Sequence, residues 1–453
     1  MQPNVAYRSS DARLTRGGAA VSQAMLGRVW SGPWPAGRPY WLLIGLFLVA
    51  LAPRLALLAA RAGDLEFWEY ETLARNIAAG DGYVMRRFGN LTLAFGDGNL
   101  YSFLAGALYA VVGHSPATLG VVQAVLAALA VPVIFAVAEG PLGARVAALG
   151  AALAALHPGL LAYTLKLHPL GLDVLLLALV VYWSNRPHWT RGGALQTGLT
   201  LGLNLMTRPT FFLAGLAALI VRWLARHTSL RQIVAVTLIG AAIGTPWVAR
   251  NWLFLGRPLL MSTSLEDVWK GNNPISNGSS YVGPGQSVFD AAPVELRERI
   301  WHSDELQLND MFASETASFI REQPEQFASL FARKFAYFWW FPQPVGALYP
   351  ANWLAAYKAY AVVMYAFAAI GVVGIVRNGS TDARQLLAML TAVGLTLATV
   401  HALAYVEGRH RWGLEPLLLL LTARGMVASL SGLRSLNAWR QSRVLSRRRQ
   451  IEP

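Results

Sequence analysis

Apolar runs of 15 to 24 residues recur along this 453-residue chain, and their spacing constrains its fold more than any other feature. They lie near 40–60, 117–138, 146–162, 168–184, 193–207, 209–225, 232–248, 353–376, 385–404 and 412–430. About 20 apolar residues in a helix cross a ~30 Å hydrocarbon core. In that solvent a helix satisfies its own backbone polar groups, which a lone strand cannot do. The expected fold is therefore an all-α polytopic membrane protein of about ten transmembrane helices. The third to sixth runs are short and bounded by Pro158, Pro169 and Pro209, so their edges are soft. Composition agrees: 55% of residues are hydrophobic and only 14% charged, and the mean hydropathy is +0.40, outside the usual globular range.

The charge pattern orients the bundle. The net charge of +14 could suggest nucleic acid, but the basic residues collect in short loops and tails between apolar runs. Segments 1–39, 139–145, 184–192, 222–231, 377–384 and 433–453 carry 19 arginines, no lysine and four acids (Asp11, Glu139, Asp382, Glu452). That bias expects these segments inside and both termini cytoplasmic, as in an inner or plasma-membrane protein. Residues 1–39 and 433–453 then form cytoplasmic tails around a membrane domain over 40–432. No cleavable signal is expected, because the first apolar run starts late, near Tyr40, and is too long. Leu100–Val112, 13 residues or roughly 20 Å of helix, is too short to cross. It is expected to stay outside, leaving two outer segments, 61–116 and 249–352. Partners are membrane lipids and not nucleic acid.

The first outer segment is unusually acidic. Gly63 to Asn99 holds six of the chain's 24 acids: Asp64, Glu66, Glu69, Glu71, Asp81 and Asp97. Phe67, Tyr70, Ala74 and Ile77 recur at helical spacing, with Glu66 and Glu69 one turn apart beside that face. Gly80-Asp81-Gly82 supplies turn chemistry to end the helix. Anionic headgroups would repel such a helix, so a carboxylate doing proton chemistry competes with a merely solvated connector. The chain lacks a phosphate-binding glycine loop, a His-Glu-x-x-His motif and a nucleophile elbow. It has no cysteine, which excludes disulfides, thiolate catalysis and Cys-ligated metal. Any chemistry must come from outer-face carboxylates and arginines.

Tyr70-Glu71-Thr72-Leu73-Ala74-Arg75-Asn76-Ile77-Ala78-Ala79-Gly80-Asp81-Gly82-Tyr83 resembles the first outer loop of GT-C glycosyltransferases. These include the protein mannosyltransferases and the bacterial aminoarabinose and rhizobial lipopolysaccharide sugar transferases. The resemblance continues, in order, through Leu205-Met206-Thr207-Arg208-Pro209, Pro246-Trp247, Arg250-Asn251 and Gly271-Asn272-Asn273. It ends at Glu407-Gly408-Arg409-His410-Arg411 ahead of Glu415-Pro416.

The resemblance implies inverting transfer of a sugar from a polyprenyl-phosphate carrier to a glycan, lipid or protein acceptor on the outer side. A first-loop carboxylate would act as base. Glu66 stands at the family position, where aspartate is usual; Glu69 directly before Tyr70 and Asp64 at the mouth of the loop are the alternatives. Gly96-Asp97-Gly98-Asn99-Leu100-Tyr101 departs from the family's proline pair, which makes Asp97 a candidate ligand or acceptor contact beside Tyr70. Arg208, Arg250, Arg409 and Lys166 are candidate phosphate contacts, with Arg411 at the family's matching arginine. Arg409 and Arg411, two apart in a non-helical segment, are expected to face one side. Arg208 and Asp173 are costly at span positions, although Arg208 could snorkel from a helix end. His157-Pro158 and His168-Pro169 read as helix ends. Some relatives use a divalent ion, for which Glu407, His410 and a first-loop acid are an incomplete ligand set, and no metal residue is assigned. A non-catalytic GT-C-like subunit and a lipid or sugar transporter are the competing classes; against transport stands the lack of inverted repeats.

Overall fold

Prolines and glycines cut the apolar runs into helices of very unequal length, and the short ones meet where the polar residues collect. The computed structural model describes residues 40–186, 188–341 and 350–431. The tails 1–39 and 433–453 therefore lie outside the described residues. The helices, in order, are α1 (Tyr40–Ala60), α2 (Glu69–Ala79), α3 (Asn99–Val112), α4 (Pro116–Leu142), α5 (Ala144–Ala155) and α6 (Pro158–Ala162). Then follow α7 (Leu170–Ser184), α8 (Arg191–Thr207), α9 (Pro209–Leu224) and α10 (Leu230–Leu255). The long segment after α10 carries α11 (Ser264–Lys270), α12 (Val294–His302), α13 (Glu305–Glu322) and α14 (Pro324–Trp339). Helices α15 (Ala351–Asn378), α16 (Thr381–Leu403) and the single turn α17 (Gly408–Trp412) precede a last helix over 415–431.

Each of the ten apolar runs falls on helix, but among the described residues only six stretches are long and apolar enough to cross a membrane. These are Tyr40–Ala60, Pro116–Leu142, Ala144–Leu165, Leu230–Leu255, Ala351–Asn378 and Thr381–Leu403. They support a multi-pass membrane protein. Helices α7, α8 and α9 have 15, 17 and 16 residues, and the last helix runs to the edge of the described residues. Helix α3, with 14 residues, rises only about 21 Å. It packs on α2, where Gly106 lies so close beneath Ile77 that a Cβ would come within 2.7 Å of its side chain.

Close backbone contact fixes the α8–α10 pair. A Cβ on Gly202 would lie 2.7 Å from the Gly240 carbonyl oxygen, and one on Gly198 3.0 Å from that of Val236. Small residues four apart let membrane helices approach until dispersion contacts hold them.

The acidic stretch departs from its expected local structure. Helix α2 starts at Glu69, with Trp68 extended at its N-cap. Glu66 and Phe67 instead form β1 (Glu66–Phe67), so Phe67 is not on the apolar face and stands 57% exposed. The reason is a competing partner: β1 pairs in parallel with Lys166–Leu167, Glu66 opposite Lys166. The expected end of the helix is present, Gly80 adopting φ +90° and donating to the Asn76 and Ile77 carbonyls.

The segment between α1 and α4 and the long segment after α10 are tied together. Arg87 makes two bonds to Glu266, at 2.6 and 2.7 Å. Glu305 accepts from the Leu93 and Ala94 N–H groups at 2.7 and 2.8 Å. The long segment has its own core of Trp269, Val288, Ile300, Leu308, Met311 and Phe312. It is anchored to the end of α16 by buried Lys334, whose Nζ donates to Gly271 O, Asn272 Oδ1 and Ala404 O at 3.0, 2.6 and 2.9 Å.

Candidate active site

Tyr70 and Asp97, from the segment between α1 and α4, meet at the junction between α8 and α9. Pro209 cannot continue the α8 ladder, so the chain breaks at Arg208, which is extended. Arg208 reaches Asp97 at 3.0 Å through Nη1 and Asp173 at 2.9 Å through Nε. Its side chain is only 11% exposed, so it does not snorkel. Asp97 is held opposite by Gly98, whose N–H donates to Thr207 O at 2.6 Å. Gly98 adopts φ +79°, and a Cβ there would lie 2.3 Å from the Tyr70 ring. Only glycine fits that close approach and that backbone. The Tyr70 hydroxyl completes the network by donating to Asp97 at 2.9 Å.

Glu69, the first residue of α2, sits beside this network. It is partly open, and among the described residues no side chain bonds to its carboxylate. Burial raises its pKa above the usual carboxylate range and Asp97 raises it further, against its own backbone N–H, Arg409 and Lys270. A partly open carboxylate whose pKa is raised and to which no side chain bonds can take a proton.

The other sequence candidates for the base are occupied. Asp64 pairs with Arg61 on the exposed surface. Glu66 has one oxygen on Trp68 Nε1 at 3.0 Å and the other on Lys166 Nζ.

Cations collect nearby. Arg208 and Arg409 border a small cavity with His168, Leu170, Phe211 and His410. Arg409 pairs with Glu407 and stands 5.0 Å from the Trp68 ring centroid. His410 accepts the Glu407 N–H on Nδ1 at 3.2 Å and stacks on His401, ring centroids 4.1 Å apart. Burial, then His401 and Arg409, push its pKa well below the usual histidine value. Lys270 joins from α11, bound to Asp267 at 2.9 Å and Glu266 at 2.8 Å.

Arg411 is not brought into this group, and it does not face the same side as Arg409. Residues 408–412 form a helical turn, in which residues two apart point in nearly opposite directions. Arg411 is buried against Glu415 and donates to Phe338 O and Trp340 O at 3.2 and 3.3 Å. Glu415 also meets Tyr357 at 2.6 Å and His157. His157 in turn caps α6, accepting from Leu160 N at 3.2 Å. Arg250 likewise serves the backbone, donating to Leu93 O and, at 3.2 Å, to Tyr83 O. Among the described residues no three His, Cys, Asp or Glu side chains are grouped to hold a metal ion.

Trp68, Asp267 and Lys270 escape the sequence reading. Lys270 carried a usable signal: it is one of only four lysines in the chain and directly precedes Gly271-Asn272-Asn273.

No protein-family model matches the chain, and no curated protein matches it. It is similar to the crystal structure of ArnT from Cupriavidus metallidurans bound to undecaprenyl phosphate, with 15% sequence identity and a TM-score of 0.40. That similarity covers 82% of this chain and 77% of the other.

Proposed function

We propose that this protein is a membrane glycosyltransferase that moves a sugar from a polyprenyl-phosphate carrier to an acceptor hydroxyl at the outer face. The observation that carries the reading is Glu69: a partly open carboxylate to which no side chain bonds among the described residues, with Arg409 and Lys270 near enough to act on its charge. The ordered resemblance to GT-C loops points the same way.

In the proposed step the acceptor hydroxyl gives its proton to Glu69 as its oxygen bonds the anomeric carbon. The bond from that carbon to the phosphate oxygen breaks, and its electron pair stays on the phosphate, with inversion. Guanidinium and ammonium groups offset the charge that develops on the leaving phosphate. Arg208 is held by two carboxylates, whereas Arg409 and Lys166 have one each, Glu407 and Glu66, so Arg409 and Lys166 keep more of their charge for the phosphate. The polyprenyl tail stays in lipid beside the bundle.

The test is release of polyprenyl phosphate from a panel of polyprenyl-phosphate sugars by the purified protein in nanodiscs. Glu69→Gln should lower the rate by about 10²-fold or more, the lower range for a lost general base. Turnover by Glu69→Gln at the wild-type rate would refute the assignment.

A further inference from the structure

Glu66 occupies the position where the sequence resemblance puts the base, yet both of its oxygens are engaged. The parallel β1 pairing sets it opposite Lys166. In a parallel pair, residues opposite one another project to the same face of the sheet. One carboxylate oxygen binds Lys166 Nζ, and the other accepts from Trp68 Nε1 at 3.0 Å. Lys166 Nζ lies 5.8 Å from the Trp68 ring centroid and 5.5 Å from that of Tyr163. The Arg409 guanidinium lies 5.0 Å from the same indole. One tryptophan thus faces two cations, and Glu66 bonds both the tryptophan and one of those cations.

Arg409 has its own partner in Glu407, and lysine has a flexible four-carbon stem that readily swings away from a neighbouring cation. The side chain of Lys166 is nevertheless only 12% exposed, whereas that of Glu66 is 51% exposed. The more exposed carboxylate therefore holds the ammonium against the Trp68 and Tyr163 rings, and the indole N–H holds the carboxylate.

We infer that Glu66 is a positioning residue: it fixes Lys166 beside Arg409 so that the two receive the carrier phosphate together. The inference rests on the proposed carrier-dependent transfer and gives its phosphate site a specific architecture. It also separates the two glutamates. Glu69 acts on the acceptor proton and governs the rate, whereas Glu66 acts through Lys166 and governs carrier affinity.

The experiment is a double-mutant cycle on polyprenyl monophosphate binding to the purified protein in nanodiscs, with Glu66→Gln, Lys166→Met and the pair. Glutamine keeps an acceptor for Trp68 Nε1 while losing the charge that holds Lys166. Each single variant should weaken binding about tenfold, and the double variant should be no weaker than either, as for residues acting through one contact. Trp68→Phe, which leaves the ion pair but removes the indole N–H, should weaken binding by about threefold, less than either. In turnover, Glu66→Gln should raise KM for the donor and leave kcat and its pH profile unchanged. If wild type binds no polyprenyl phosphate, the carrier reading itself fails. If it binds and the two losses multiply, or Glu66→Gln binds like wild type, the positioning role is overturned and the carrier reading stands. A kcat loss of about 10²-fold with unchanged affinity would make Glu66 the base instead.

Discussion

The Tyr70 hydroxyl donates to the Asp97 carboxylate at 2.9 Å, across 27 residues of sequence. That bond fastens the start of α2, and with it Glu69, to the loop that Arg208 holds from the other side. Tyr70→Phe keeps the ring packed on Tyr101 and His168 and removes only this bond. It should lower stability by about 1.5 kcal/mol, as for one hydrogen bond to a charged group. A thermal unfolding midpoint equal to wild type would show that the bond does not hold the two segments.

The raised pKa of Glu69 sets a pH dependence. A base must be deprotonated to act, so kcat/KM should rise with pH through a midpoint above the ordinary value of about 4.3 for glutamate. The limb should vanish in Glu69→Gln. The same raised pKa means the folded state favours the protonated form, so the group's contribution to stability is lost as pH rises through its folded pKa. Glu69→Gln should therefore unfold at a higher temperature than wild type at neutral pH. A lower midpoint would contradict the burial of the charge.

Glu266 has the opposite sign. Burial alone would raise its pKa, but Lys270 and Arg87 outweigh burial and hold it at about 2. Its contribution is present above the unfolded pKa and disappears as pH falls from about 4.3 through about 2. Wild type should lose on the order of 3 kcal/mol over that window. Glu266→Gln should lack this part of the acid transition, as followed by thermal unfolding against pH.

Arg411 and Arg409 should separate cleanly. Arg411→Lys breaks contacts to Glu415 and to two carbonyls inside the bundle, so it should unfold more easily while the folded protein binds carrier like wild type. Arg409→Lys should lose about tenfold in carrier affinity, because lysine lacks the planar fork. The reverse pattern would move the phosphate contact to Arg411.

The topology is open to reporter fusions. Reporters after Ser115 and after Asp290 should read external, and one after Arg145 cytoplasmic. A cytoplasmic signal after Ser115 would make α3 a span and invert every later loop.

The helices were legible because a bilayer leaves the backbone no alternative, and Pro158, Pro169 and Pro209 marked their ends within a few residues. Strand β1 was not legible. Two residues pair there with a segment a hundred positions away, and no local period records such a partner. The arrangement around Arg208 was half legible: its cost inside a span drew attention, but pairing with both Asp97 and Asp173 needs coordinates. Arg409 and Arg411 do not face one side because the segment expected to be non-helical, Gly408–Trp412, is a helical turn.

Glu69 acts on the acceptor and Glu66 holds Lys166 for the carrier phosphate, and a structure of the protein with polyprenyl phosphate bound in nanodiscs tests this division most directly. The phosphate should lie against Arg409 and Lys166, with Glu66 still bonded to Lys166 and the Glu69 carboxylate open on the acceptor side. A phosphate seated on Arg411, or a Glu66 released from Lys166 and turned toward the acceptor, would contradict it.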